Sequence, residues 1–113
     1  MEGKKSSFEL SRGEGEWEIV LKGEIDHHNA LHLRSEMDEL IARECPRSVV
    51  FDLSEIDFMD SSGLGLIMGR YALLVKMGGT LRVKNPNERI LKIFELANLG
   101  RMIPIEMTKE EEG

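Results

Sequence analysis

The chain is poor in cysteine, in clustered basic residues and in long apolar runs, and each shortage excludes something. One cysteine, Cys45, stands in 113 residues. It has no partner for an internal disulfide, which suits a reducing cytosol, and it reads as a free, buried thiol. Fifteen Lys and Arg face 21 Asp and Glu, for a net charge of −6. No basic cluster stands out, and nucleic-acid binding, which sets grouped cations against phosphates, is disfavoured. A basic partner surface is the better electrostatic match. The longest apolar stretch, Leu64 to Met77, is broken by Gly69, Arg70 and Lys76. It falls short of the roughly 20 residues that span a bilayer. Nor does an apolar secretion-signal core follow Met1-Glu2-Gly3-Lys4-Lys5. The expectation is a cytoplasmic protein with neither a membrane nor a nucleic-acid partner.

What is present suffices for one core. Hydrophobic residues make up 41% of the chain, too many for disorder. The length is that of one domain, 1–113, with a core from about 8 to 106 and flexible polar ends. Phe8–Arg12 and Trp17–Ile25 read as strands joined by a tight turn at Gly13-Glu14-Gly15. Asn29 is a candidate helix cap, and Ala30, Leu33, Met37, Leu40 and Ile41 recur at helical spacing up to Pro46. Ser48–Leu53 reads as an interior strand. A helix over 63–77 follows, with Leu64, Ile67, Met68, Tyr71, Leu74 and Val75 on one face, ending at Gly78-Gly79. Thr80–Lys84 is a strand, Pro86 opens a helix carrying Ile90, Ile93, Phe94 and Ala97, and Met102–Ile105 is a short edge strand. The order β-β-α-β-α-β-α-β predicts an α/β domain. Its mixed sheet starts with a hairpin and carries helices packed on it.

In open α/β sheets, sites gather beyond the carboxyl ends of strands. Two segments sit there, Asp26-His27-His28 and Asp60-Ser61-Ser62-Gly63-Leu64-Gly65. The second places hydroxyls where free N–H groups and the helix dipole favour negative charge. A serine there can be a nucleophile, a cap or a phosphorylation site. Neither serine fits the Gly-x-Ser-x-Gly elbow: Met59 precedes Ser61 by two, and Asp60 precedes Ser62 by two. A triad with His27, His28 or His32 is left only to geometry. His28 and His32 are four apart, but Asn29 stands where the zinc-protease pattern needs a glutamate, and a cap at Asn29 leaves His28 outside the helix. Gly63-x-Gly65 continues to Gly69 rather than to position 68, so no dinucleotide fingerprint is formed. Ser61 as a phosphorylation switch and the serines as an N-cap pair both survive this reading.

Gly23-Glu24-Ile25-Asp26-His27-His28, Phe58-Met59-Asp60-Ser61-Ser62-Gly63-Leu64-Gly65 and Gly69-Arg70-Tyr71 resemble the bacterial anti-sigma factor antagonists of the STAS domain class, most of all the sporulation-type branch. The resemblance runs from about Phe8 to about Glu106. It implies a non-enzyme whose unmodified form captures an anti-sigma factor that is also a serine kinase of the histidine-kinase-like ATPase fold, freeing the sigma factor. It implies phosphorylation on the serine after the aspartate, here Ser61, with Ser62 the weaker candidate, and reversal by a PP2C-type phosphatase. Asp26, Asp60, Ser61, Ser62, Gly63 and Gly65 match positions at or near the partner interface. No catalytic residue, metal ligand or cofactor is implied in the chain itself, since ATP and Mg²⁺ belong to the kinase. The alternative is a STAS module regulating a transporter or a stress-signalling assembly.

Overall fold

The computed structural model describes residues 6–108. The polar ends expected to be flexible lie largely outside those residues. The elements run β1 (Ser7–Arg12), β2 (Glu16–Ile25), α1 (His27–Glu44), β3 (Ser48–Met59), α2 (Ser61–Lys76), β4 (Thr80–Lys84), α3 (Glu88–Leu96), a short 3₁₀ turn (Leu99–Arg101) and β5 (Ile105–Glu106). The sheet order is β1-β2-β3-β4-β5, antiparallel for the first pair and parallel for the rest. The mixed α/β sheet with an opening hairpin is the expected one.

The order dictates the layering. Three successive crossovers step in one direction across the sheet. Right-handed connections then set all three helices on the same face. Alternation along the strands agrees. Trp17, Ile19 and Leu21 of β2, Phe51 and Leu53 of β3, and Leu81 and Val83 of β4 are buried under the helices with Leu33, Met37, Ile41, Ile67, Leu74, Ile90 and Phe94. The opposite face is polar and carries ion pairs across strands: Lys22 with Glu9 at 3.0 Å, Lys84 with Glu18 at 2.9 Å, and Arg82 with Glu16 and Glu106 at 3.3 and 3.0 Å. The Glu18 hydrogen bond holds the Lys84 ammonium above its ordinary pKa.

Several boundaries differ from the sequence reading. β3 runs on to Met59 rather than stopping at Leu53. It takes one extra residue where the pairing Val20↔Asp52 becomes Lys22↔Glu55, and another where Gly23↔Ile56 becomes Glu24↔Phe58. These bulges break the period-two pattern that marks a strand, and so hide its second half. Asp52 accepts from the Ser54 N–H at 2.9 Å at the first bulge, and Gly23, at the second, adopts a left-handed φ of 93°. Cys45 is exposed, not buried. It is the C-cap of α1, with a left-handed φ of 48°, its N–H held by the Ile41 carbonyl. It therefore lies past the last turn and off the stripe of Leu33, Met37 and Ile41. The buried stripe of α2 is Gly63, Leu66, Ile67, Arg70 and Leu74, while Met68 and Val75, expected inside, are exposed. Ala97, expected on the buried face of α3, is its exposed C-cap.

Candidate functional site

Two strand-to-helix turns stand side by side. β2 and β3 are parallel neighbours in register at Ile25↔Met59, and the next residue of each is an aspartate. The Asp60 N–H extends the ladder to the Ile25 carbonyl at 3.1 Å. Both aspartates have extended backbones and both cap a helix, α1 from Asp26 and α2 from Asp60. Each carboxylate thus satisfies orphan N–H groups and lies at the positive end of a helix dipole. Both α1 and α2 begin at one edge of the sheet, the edge that topology singles out for sites.

Here the structure corrects the caps. Asn29 is not the cap of α1 but its third residue. It completes a capping box with Asp26, whose carboxylate accepts from His28 N–H at 2.9 Å and Asn29 N–H at 3.1 Å. Asn29 Oδ1 accepts from Asp26 N–H at 3.0 Å, and its amide donates to the Glu24 carbonyl at 2.9 Å. His28 is consequently inside the helix. His32 pairs with Glu36 at 3.2 Å, and no group of three or more metal-ligating side chains occurs among the described residues. At the second turn the serines are not the cap. Asp60 is, accepting from Ser62 N–H at 2.8 Å. The pattern Asp-x-x-Asn was the available signal for the first turn, since it is a capping box with asparagine in the glutamate's place.

Freed from capping, the serines are available. Ser61 is the first residue of α2 and is exposed; Ser62 is half-buried. Among the described residues neither hydroxyl is hydrogen-bonded, to a histidine or to anything else. The hydrolase arrangement is therefore not assembled there. Gly63 is buried, and a Cβ on it would run into the Met59 side chain, with Sδ at 2.7 Å. Gly65 has nothing within 4 Å of the place a Cβ would occupy. The six residues singled out by the sequence, Asp26, Asp60, Ser61, Ser62, Gly63 and Gly65, thus fall in or beside the two adjacent turns. Phe58, 44% exposed, precedes the second turn.

Sequence reasoning named Arg70 within Gly69-Arg70-Tyr71 but gave no sign of its burial or of its partner. Arg70 is 5% exposed. Its Nε approaches Asp38 Oδ1 of α1 to 2.8 Å, out of line for a hydrogen bond, and Nη1 donates to the Leu66 carbonyl at 3.4 Å. Burial pulls its pKa down and Asp38 opposes that. The pair ties α1 to α2 behind the two turns. Only the apolar neighbours of Arg70, not its own charge, signalled that this helix face turns inward.

Comparison with known proteins names the fold. Residues 12–112 match the STAS domain. The chain belongs to the STAS domain family. It is 37% identical over 98 residues to the anti-sigma F factor antagonist of Paenibacillus polymyxa, covering 87% of this chain and 84% of that one. Among solved structures, the anti-sigma factor antagonist SpoIIAA in its unphosphorylated form superposes with a TM-score of 0.80 at 28% identity, covering 92% of this chain and 90% of that one. The Bacillus cell fate determinant SpoIIAA in the phosphorylated form gives a TM-score of 0.74 at 28% identity, covering 92% and 93%. The STAS fold thus holds the two turns on a scaffold shared with proteins known in two phosphorylation states. No helix among the described residues is long and apolar enough to cross a membrane.

Proposed function

We propose that this STAS domain is an anti-sigma factor antagonist whose grip on its partner is switched off by phosphorylation of Ser61. One observation carries the reading. The Ser61 hydroxyl is exposed and unbonded at the first turn of α2, beside the Asp60 carboxylate. A kinase can reach it without unfolding anything. A phosphate would add roughly −1.5 to −2 charges at pH 7. The fold tolerates this, because an anion at a helix N-terminus is favoured by about 0.3–1 kcal/mol. A partner shaped around Asp60 and a neutral hydroxyl meets instead a bulkier, doubly charged group. Binding falls while the domain stays folded.

In this reading the partner is an anti-sigma factor that is itself a serine kinase of the histidine-kinase-like ATPase fold. ATP and Mg²⁺ sit in the kinase, and a PP2C-type phosphatase restores the hydroxyl. Asp26, Asp60, Ser61, Ser62, Gly63 and Gly65 form or shape the contact surface, and the domain itself performs no catalysis. The homologues named as anti-sigma factor antagonists and the SpoIIAA structures in both phosphorylation states support it.

The test is incubation with ATP and candidate anti-sigma kinases, followed by mapping of the phosphate by mass spectrometry. Phosphate on Ser61, absent in Ser61→Ala, is the expected result. Ser61→Asp should bind the unphosphorylated protein's partner more weakly while melting normally. Equal affinity of wild type and Ser61→Asp in calorimetry would overturn the switch.

A further inference from the structure

A groove of about 440 Å³ runs between α1 and α2 from the second turn, lined by Ala30, Leu31 and Arg34 on one side and Ser62, Gly65 and Gly69, among others, on the other. The glycines are its odd feature. Gly65 and Gly69 sit in the middle of a helix, where glycine is a poor choice. Neither has a left-handed φ, and neither has any atom within 4 Å of where a Cβ would stand. Internal packing therefore explains Gly63 and Gly79, whose Cβ atoms would meet Met59 or the carbonyls of Pro46 and Arg47 at 3.1 Å, but not these two. What the missing side chains preserve is open space.

The walls of that space join an apolar rim to cationic groups. Leu31 is 63% exposed on the rim. The charged groups lining the groove are Arg34 and Arg70, both cationic in a chain of net charge −6. Asp38 lies 2.8 Å from Arg70 and only 3.8 Å from Arg34, whose side chain is 58% exposed. Arg34 thus holds a loose share of a carboxylate already engaged, and it is free to take another.

We propose that this groove seats a segment of the anti-sigma partner bearing an apolar side chain, which lies over Gly65 and Gly69 against Leu31, and a carboxylate that pairs with Arg34. The inference rests on the proposed function and adds to it a second anchor and a reason for the switch. Ser62 lines the groove, and Ser61 precedes it by one residue in the first turn of α2. A phosphate on Ser61 repels the partner's carboxylate and competes for Arg34.

The experiment is calorimetry with the cognate anti-sigma kinase on the full chain, alongside thermal melts. A Cβ on Gly69 meets nothing within 4 Å, so Gly69→Leu projects its side chain into the groove. The expected result is a melting temperature at or above wild type with affinity lowered roughly tenfold or more. Arg34→Gln should lower affinity and flatten its dependence on salt. Wild type that binds, with a folded Gly69→Leu binding within about twofold, overturns the groove and leaves the Ser61 switch standing. Wild type that binds no such kinase sinks both. A wild-type dimer in sedimentation that Gly69→Leu abolishes, with kinase affinity unchanged, assigns the groove to a second copy and overturns the proposal.

Discussion

The turns at Asp26 and Asp60 are built on one plan and finished differently. Each follows a buried residue at a parallel strand end, Ile25 or Met59, and each opens a helix with an aspartate cap. In the first, the third helical residue is Asn29, and four hydrogen bonds lock the turn. In the second it is Gly63. No side chain reaches back there, because any Cβ would meet Met59. The Asp60 side chain accepts one bond, from Ser62 N–H. The two serines beside it keep their hydroxyls unbonded. One turn is a closed structural joint. The other keeps the scaffold and leaves its functional groups free for an outside partner.

The largest effect that sharpens this contrast is chemical. Ser61→Ala should abolish phosphate incorporation, whereas His27→Ala, at the equivalent first position of α1, should leave it intact. Radiolabel transfer from ATP in the presence of the cognate kinase reads both. Incorporation persisting in Ser61→Ala would move the acceptor to Ser62.

Next in size is Gly63→Ala. The added methyl meets Met59, which is 2% exposed beneath the turn. Overpacking of this kind costs about 1–3 kcal/mol. Met59 is pliable, which argues for the lower half of that range. Urea unfolding measures it, and an unchanged midpoint would mean that Met59 swings aside freely. The caps come next. Asp26→Ala removes two acceptor bonds and the reciprocal box, for about 1–2 kcal/mol. Asp60→Ala removes one bond, for about 0.5–1 kcal/mol. Comparable losses at both turns would contradict the view that one is locked and the other loose.

Much of this was legible beforehand, and each failure has a physical cause. Strand and helix order, the parallel sheet and the placement of both aspartate segments at carboxyl ends follow from periodicity in β2, β4 and α1, where Leu33, Met37 and Ile41 are buried as expected. The second half of β3 was hidden by its bulges, because Ser54, Glu55 and Asp57 interrupt the alternation. Asn29 has the chemistry of a cap. The hydrogen-bond direction distinguishes a cap from the third residue of a capping box. The face of α2 was rotated because Arg70, a charged residue, sits inside it, held by Asp38 from a helix about 30 residues away in sequence. The bulges and the Arg70–Asp38 pair are facts of tertiary pairing that no local pattern carries, whereas the capping box lay in the local spacing Asp-x-x-Asn.

The smallest effect has the opposite sign. Gly65→Ala places a methyl where nothing lies within 4 Å, on a backbone without a left-handed φ. Alanine is the better helix former, and it also narrows the unfolded ensemble. The substitution should therefore stabilise the domain by about 0.4–1 kcal/mol. Gly63→Ala, two residues earlier in the same helix, should do the reverse. A melt of both variants beside wild type separates the two kinds of glycine directly, one required by the molecule's own packing and one not. Destabilisation by Gly65→Ala would show that α2 needs its flexibility there. Stabilisation together with weakened kinase binding would show what the glycine keeps clear, since a residue that costs the fold free energy and touches nothing inside it is retained for something outside.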